Sequence, residues 1–526
     1  MPRFAAFIRF RQISRIKYRW ESKIPHMDSI SIWQSTDDGV RSYPRLTENI
    51  SANALVVGGG IAGYLTAYRL AEAGRKVVLI EGYRLFSGTT GHTTAKITYH
   101  QGSVYPKLVK SYGVSVAKRY YEAQVSGMRD ILALTQEHSI DCDWRVMDGY
   151  IYSSDGGEET KRIYCAMSEA GIKTELEHSS TPAGDFLTVR AENQYAFHPL
   201  KFLRALPVHF DIYENTRAIK FDVKKKTVYT EEGSVHADLI VIATRYPTID
   251  EYGSYFMRLR PSMSYTVAVS GAAGGATYLD AREEGLSVRP YDGGVTVGGY
   301  DRRTGTGDMH AFLGLRAAAA RMFGDKAVVA EWAAQDCMTF DGVPYVGCYS
   351  PELRDIYVIT GFNKWGMANS ATAARLIADL ADGRENPFEE LYSPTRRRKG
   401  TAGGFIRNAV RSVAYLITGN LHYPLSTSRS IAPGEGKVVR LHGKKRAVYK
   451  EPGGRLYATE AMCPHLHAEV KWNSETQTWD CPCHGSRFDK FGNVISAPAH
   501  CNLRSHTRLA EESASKKKEK AKSKTE

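Results

Sequence analysis

The sequence predicts an α/β chain with a second, mixed-sheet lobe and a separate small all-β module near its C-terminal end. Three observations carry this. The apolar run Ala54–Val57 enters a glycine turn, then a helical pattern, then a second apolar run at Val77–Ile80, which is the order of a parallel βαβ unit. Residues 144–235 alternate short apolar runs with turn signals such as Asp155-Gly156-Gly157 and Glu231-Glu232-Gly233, a mixed sheet broken by helices. Residues 431–505 hold only short strand-like runs, among them Gly436–Leu441, Arg446–Tyr449 and Arg455–Ala458, each bounded by Gly, Pro or charge.

The first unit has a chemical reading. In Gly58-Gly59-Gly60-Ile61-Ala62-Gly63, Gly58 permits the tight turn, Gly60 lets backbone approach a pyrophosphate, and Gly63 allows close helix–strand packing. The helix N-terminus then faces phosphate. Glu81, at the end of the second run, suits a ribose diol. Strand, turn, helix and terminal acid together indicate a dinucleotide site; the bland alternative is a tight βα turn with nothing bound. The motif alone does not separate FAD from NAD.

Length and composition set the frame. A chain of 526 residues, 42% apolar and 24% charged, suits two to four soluble domains. It holds no run of 18 uncharged apolar residues, so no spanning helix is expected. The net charge of +13 is concentrated at the ends, +6 in residues 1–26 and +4 in residues 513–526, so the nearly neutral body gives no reason to expect nucleic acid as a partner. Residues 1–26 read either as a basic transit peptide or as sequence upstream of a start at Met27, and the second is preferred. The eight cysteines do not suggest a disulfide scaffold, but three cluster at Cys463, Cys481 and Cys483 and point to metal.

Further along, Trp33 and Tyr43 read as anchors of a polar lead-in. The loop Ser87–Lys96 is rich in Gly and Thr, and the hydroxyls of Thr93 and Thr94 fall where they can reach phosphate or a flavin ring. Val104 to His138 reads as one helical stretch. His198, before Pro199, reads as a cap. Asp238–Thr244 is a fully apolar strand that returns the chain to the first sheet. Arg282, Arg289, Arg302 and Arg303 flank later strands, where an arginine can clamp a carboxylate, though most such residues are merely solvated. Asp341–Gly347 and Tyr357–Met367 form a second strand with a glycine-rich end and a helix after it. No second G-x-G-x-x-G fold intervenes, which suits one long, buried FAD better than freely exchanging NAD.

The sharpest pattern is Cys463-Pro464-His465, fifteen intervening residues, then Cys481-Pro482-Cys483-His484-Gly485-Ser486. Two loops each offer one thiolate and one imidazole. Cys463 and Cys481 suit an inner iron, and His465 and His484 an outer one, which is Rieske 2Fe–2S ligation. A Cys2His2 zinc site takes the same ligands, with a different usual spacing. Between the units, Arg396–Gly404 breaks the pattern. Phe405–Thr418 reads as a basic amphipathic helix with Ile406, Val410, Val413 and Ile417 on one face. Docking of one domain on the other is the preferred role; contact with a membrane surface is the alternative and is not expected.

On these residues, GGGIAG with Glu81, the TTAK loop, DGVPYVG and GFNKWGM, the chain resembles the D-amino-acid-oxidase-like superfamily of FAD-dependent oxidoreductases, in a branch carrying a C-terminal Rieske module. The resemblance implies an α/β FAD-binding (Rossmann-like) domain with a mixed-sheet substrate domain, plus a small all-β Rieske domain. The expected boundaries are a basic extension (1–27), the oxidoreductase domain (28–395), a linker with the helix (396–430), the Rieske domain (431–508) and a Lys-rich tail (509–526). Gly58, Gly60, Gly63 and Glu81 are expected to hold FAD, with Gly361 and Met367 near the ring. Lys96, His100 and Lys364 are the acid–base candidates, with His92 beside them. The expected chemistry is oxidation of a small organic donor (an amine, amino acid or hydroxy acid) with electrons leaving through the cluster to a carrier protein or quinone, in the cytoplasm. The rivals are an NAD(P)H-fed reductase for a partner oxygenase and a non-catalytic redox sensor. Quinol-oxidising Rieske proteins join two further cysteines in a disulfide; here Ala468 stands opposite Cys483, so Cys483 is expected free unless Cys501 reaches it. Phe488 replaces a tyrosine whose hydroxyl bonds a cluster sulfur in those proteins, which places the expected potential below about +100 mV.

Overall fold

A computed structural model describes residues 30–507, apart from 250–251, 283, 307–309, 397–400, 423 and 425. The basic extension and the Lys-rich tail lie outside these residues.

The βαβ reading holds: β1 (Asn49–Val57), α1 (Ile61–Glu72) and β2 (Val77–Ile80) follow in order. β1 lies parallel to β2 on one side and to β3 (Ser234–Arg245), the predicted return strand, on the other. β4 (Leu353–Thr360) lies parallel beyond β3. All four residues of β2 are buried, as expected for a strand covered on both faces. Val57 is in register with Ile80 and with Ile242, and Thr360 with Arg245. The carboxyl ends of four strands therefore finish together, which is where open α/β sheets bind ligands. α2 (Gly366–Ala381) starts just past the end of β4.

The mixed second lobe is a nine-stranded sheet among the described residues. Val328–Thr339 pairs with Leu259–Ser270, which pairs with Gly294–Arg303, all antiparallel; Thr277–Asp280 runs parallel to Arg145–Tyr152. The stretch expected as one helix over Val104–His138 is two, Val104–Tyr112 and Val114–Glu137. Gly113 separates them at φ +88°, a conformation that a helix cannot contain.

The C-terminal module has a three-stranded and a four-stranded antiparallel sheet around a core of its own that includes Val470, Trp479 and Phe488. Between the two units runs α3 (Thr401–Leu421), the predicted amphipathic helix.

Candidate functional site

The turn after β1 is built for close approach. A Cβ on Gly63 would lie 1.9 Å from the Gly58 carbonyl oxygen, so only glycine lets α1 start this near the strand. Glu81 accepts from the Gly59 N–H at 2.6 Å and the Tyr83 N–H at 2.9 Å. Burial pushes its carboxyl above the ordinary value, against these two donors. Each oxygen keeps a lone pair for a ribose hydroxyl. Thr90 Oγ1, which the sequence reading passed over, accepts from the Ile61 N–H at 2.9 Å and fixes the first turn of α1.

The strand ends open into a cavity of about 2120 Å³ lined by Gly58, Gly60, Glu81, Thr93, Thr94, Lys96, Gly361, Lys364 and Met367, while Gly63 lies beneath it. That volume is more than twice the ~1,000 Å³ upper end of ordinary ligand pockets, so the residues fit FAD with room for a second molecule. Thr94 lies under Gly298, whose Cβ would meet its methyl at 3.8 Å.

The acid–base candidates separate here. Lys96 Nζ donates to Ser287 Oγ at 2.5 Å, and burial, helped by the Arg289 charge, pushes it down to about 7. Lys364 is paired with Asp301 at 2.5 Å. His92 lines the cavity and pairs through Nδ1 with the Gly88 carbonyl at 2.8 Å. His100 does not belong to the site: it is buried away from the cavity lining, burial drives its imidazole down to about 3, and Nε2 has no hydrogen-bond partner among the described residues. Its backbone N–H donates to Thr98 Oγ1 at 2.8 Å, and its ring packs against Gly149, whose Cβ would lie 3.3 Å from Nδ1. Asp336 was missed; it lines the cavity, and burial raises its carboxyl to about 6. A lone acid within a strand leaves no sequence signal.

The residues expected to ligate metal are paired two and two. The buried thiols of Cys463 and Cys481 interact directly, and the rings of His465 and His484 are 5.0 Å apart at 90°. Thiols on one side and imidazoles on the other are the donor set of a two-iron cluster with unlike irons. Among the described residues every cysteine is a free thiol; Cys483 donates to the Ser412 carbonyl at 3.5 Å, and Cys501 is exposed.

A family model described as DAO, FAD dependent oxidoreductase, matches residues 53–380. The chain belongs to this family. A second model, Rieske [2Fe-2S] domain, matches residues 422–507 of the oxidoreductase. A Rieske 2Fe-2S iron-sulfur protein of Bacillus subtilis (strain 168), YhfW, is 33% identical over 488 residues, 89% of this chain and 95% of that one. Among solved structures, L-amino acid deaminase from Proteus vulgaris matches with a TM-score of 0.55 at 16% identity, over 68% of this chain and 97% of that one. Glycine oxidase from Geobacillus kaustophilus matches with a TM-score of 0.54 at 18% identity, over 66% and 99%. These two share the fold. The DAO domain binds FAD and the Rieske domain a 2Fe–2S cluster, which settles the zinc alternative.

The Rieske domain is docked by its cluster end onto the oxidoreductase domain. Arg303 donates to the Pro482 carbonyl through Nε and to the Cys483 carbonyl through Nη2, both at 2.6 Å, and to Asn408 Oδ1 of α3 at 2.8 Å. Gln335 Nε2 donates to the Gly485 carbonyl at 2.8 Å, and Ser496 Oγ donates to Gln335 Oε1 at 3.1 Å. Arg245 donates to Ser496, and Tyr83 to the Val494 carbonyl. Ser496, Ala499 and His500 line the FAD cavity itself. The ring of Tyr246, just past β3, lies 6.4 Å from that of His465 and 6.5 Å from that of His484; Phe256 lies 6.0 Å from His484.

Of the four arginines singled out, Arg303 thus serves the domain contact. Arg282 and Arg302 line the cavity but pair with Asp280 and Glu284. Arg289 is buried, 4.6 Å over the ring of Trp33, the predicted anchor. His198 is the cap expected, accepting through Nδ1 from the Lys201 N–H at 3.2 Å.

Proposed function

We propose that the oxidoreductase takes an electron pair from a small organic donor, an amine, amino acid or hydroxy acid, in the cavity beside Lys96, and passes electrons singly to its own docked Rieske domain and on to a carrier protein or quinone. The observation that carries this reading is the seating of the His465 and His484 rings against Tyr246, three residues beyond Ala243. The Ala243 carbonyl abuts the first glycine of the dinucleotide turn, where a Cβ on Gly58 would lie 2.6 Å from it.

FAD supplies the two-electron oxidation and the cluster the one-electron transfer. The chain's residues do the rest. The Gly58–Gly63 turn and Glu81 hold the dinucleotide end. Lys96, with its ammonium disfavoured by burial, accepts the proton that the donor's N–H or O–H gives up. Tyr246, Gln335 and Arg303 keep the module in place.

The test is anaerobic mixing of the holoprotein with a panel of amines, amino acids and hydroxy acids, following flavin bleaching and then the cluster's EPR signal. At least one donor is expected to bleach the flavin and bring up the signal in the same sample. The bleaching rate should rise as pH passes about 7, because Lys96 is neutral above that pH, and Lys96→Met should remove this step. Bleaching by NADH and by no organic donor would replace the reading with a nicotinamide-fed reductase. No bleaching by either would replace it with a non-catalytic sensor.

A further inference from the structure

The helix between the domains does not dock by its predicted apolar stripe. Among its described residues Asn408, Ser412 and Gly419 are buried and Tyr415 and Leu416 are half-buried against the Rieske core, and Asn408 Nδ2 donates to the carbonyls of Met257 at 3.3 Å and Leu259 at 3.4 Å. The apolar stripe expected to do the docking faces outward: Ile406 is 61% exposed, Val410 63%, Val413 50%, Ile417 53% and Leu421 77%. Spacings of four, three, four and four residues keep these side chains on one face of a helix about 30 Å long at 1.5 Å per residue. Single exposed apolar residues need no explanation, but five in a row along one helix do.

Charge says what covers the stripe. Arg407 and Arg411 are exposed beside it. The sequence from Leu391 to Gly434 contains no Asp or Glu, and seven of its residues are Lys or Arg. A second copy docked stripe to stripe would set these arginines against their own kind. The chain's basic ends, +6 in residues 1–26 and +4 in residues 513–526, are no better matched. An apolar stripe with basic flanks and no acid matches an anionic lipid surface, with the side chains in the acyl boundary and the guanidinium groups among headgroups. We infer that α3 lays the protein on an anionic bilayer as a peripheral, non-spanning contact. No helix among the described residues is long and apolar enough to cross a membrane. Gly404, Arg407, Asn408, Arg411 and Tyr415 of the same helix also line the FAD cavity, so this contact would set one cavity wall against the lipid.

The test is flotation of the full-length holoprotein with phosphatidylcholine vesicles and with vesicles containing phosphatidylglycerol. Binding is expected with the anionic vesicles and should fall with added salt. Val410→Asp with Ile417→Asp places two acids on exposed positions and should cut partitioning about tenfold or more, with flavin and iron content unchanged. Binding retained by that double variant would assign it to the basic termini and overturn the inference. So would equal recovery on neutral and anionic vesicles, no binding to either, or a sedimentation-detected dimer that the double variant abolishes.

Discussion

The FAD cavity gathers strand ends and loops from Gly58 to Met367 and is closed by α3 and by Ser496, Ala499 and His500, whereas the four expected cluster ligands come from two loops between Cys463 and His484. The first site exists only once β1, β2, β3 and β4 have aligned their carboxyl ends. The second needs two short loops and a small core. The difference teaches that one chain carries a globally assembled site and a locally assembled one, each able to fail separately.

Crossed variants break that comparison most directly. In Gly63→Ala the added Cβ meets the Gly58 carbonyl oxygen at 1.9 Å, so the variant should lose bound flavin; the cost is about 3 kcal/mol, at the upper end for overpacking, or more. Iron and sulfide should stay. Cys481→Ser should do the reverse, abolishing iron and sulfide and leaving the flavin absorbance. Loss of both cofactors in either variant, by absorbance and iron assay, would mean one cooperative unit rather than two.

The same contrast explains what could be read from sequence. The expected cluster ligands sit at fixed short spacings, so residue type and spacing singled out all four. The Gly58–Gly63 turn and Glu81 were legible for the same reason, each glycine meeting a local steric demand. Asp336 and Tyr246 were not, because neither has a neighbour in sequence that marks it; only pairing of distant strands puts one on the cavity and the other on the imidazoles. His100 failed in the opposite sense, being near Lys96 in sequence but turned into the core. For α3, the periodicity gave the helix and its apolar face correctly, but periodicity does not say which face a helix buries. Here hydrogen bonds from Asn408, the packing of Tyr415 and Leu416 on the Rieske core, and the close fit of Gly419, whose Cβ would lie 2.9 Å from Glu469 Cβ, hold the opposite side inward.

A smaller effect sharpens the comparison at the seam. Arg303 alone donates to two carbonyls of the second cluster loop and to Asn408. Arg303→Leu leaves those acceptors unsatisfied, which should weaken docking by about 3 kcal/mol. Stopped-flow traces should show flavin reduction unchanged and the later cluster phase slowed; an unaltered cluster phase would mean the docked contact is not the route.

The smallest expected effect lies within the cluster module. Phe488 is fully buried and paired with Trp479, and it offers no hydroxyl. A redox titration should find a midpoint below about +100 mV. Phe488→Tyr should raise it by about 50 mV, one hydrogen bond of ~1 kcal/mol for a one-electron couple. A clearly higher midpoint in the unaltered protein would refute the reading of this position.

One feature of the seam limits traffic with the outside. His484 is 2% exposed, closed off by Tyr246 and Phe256, while His465 is only half-buried. On the proposed route, the doorway through which an electron leaves is then a single imidazole wide, that of His465.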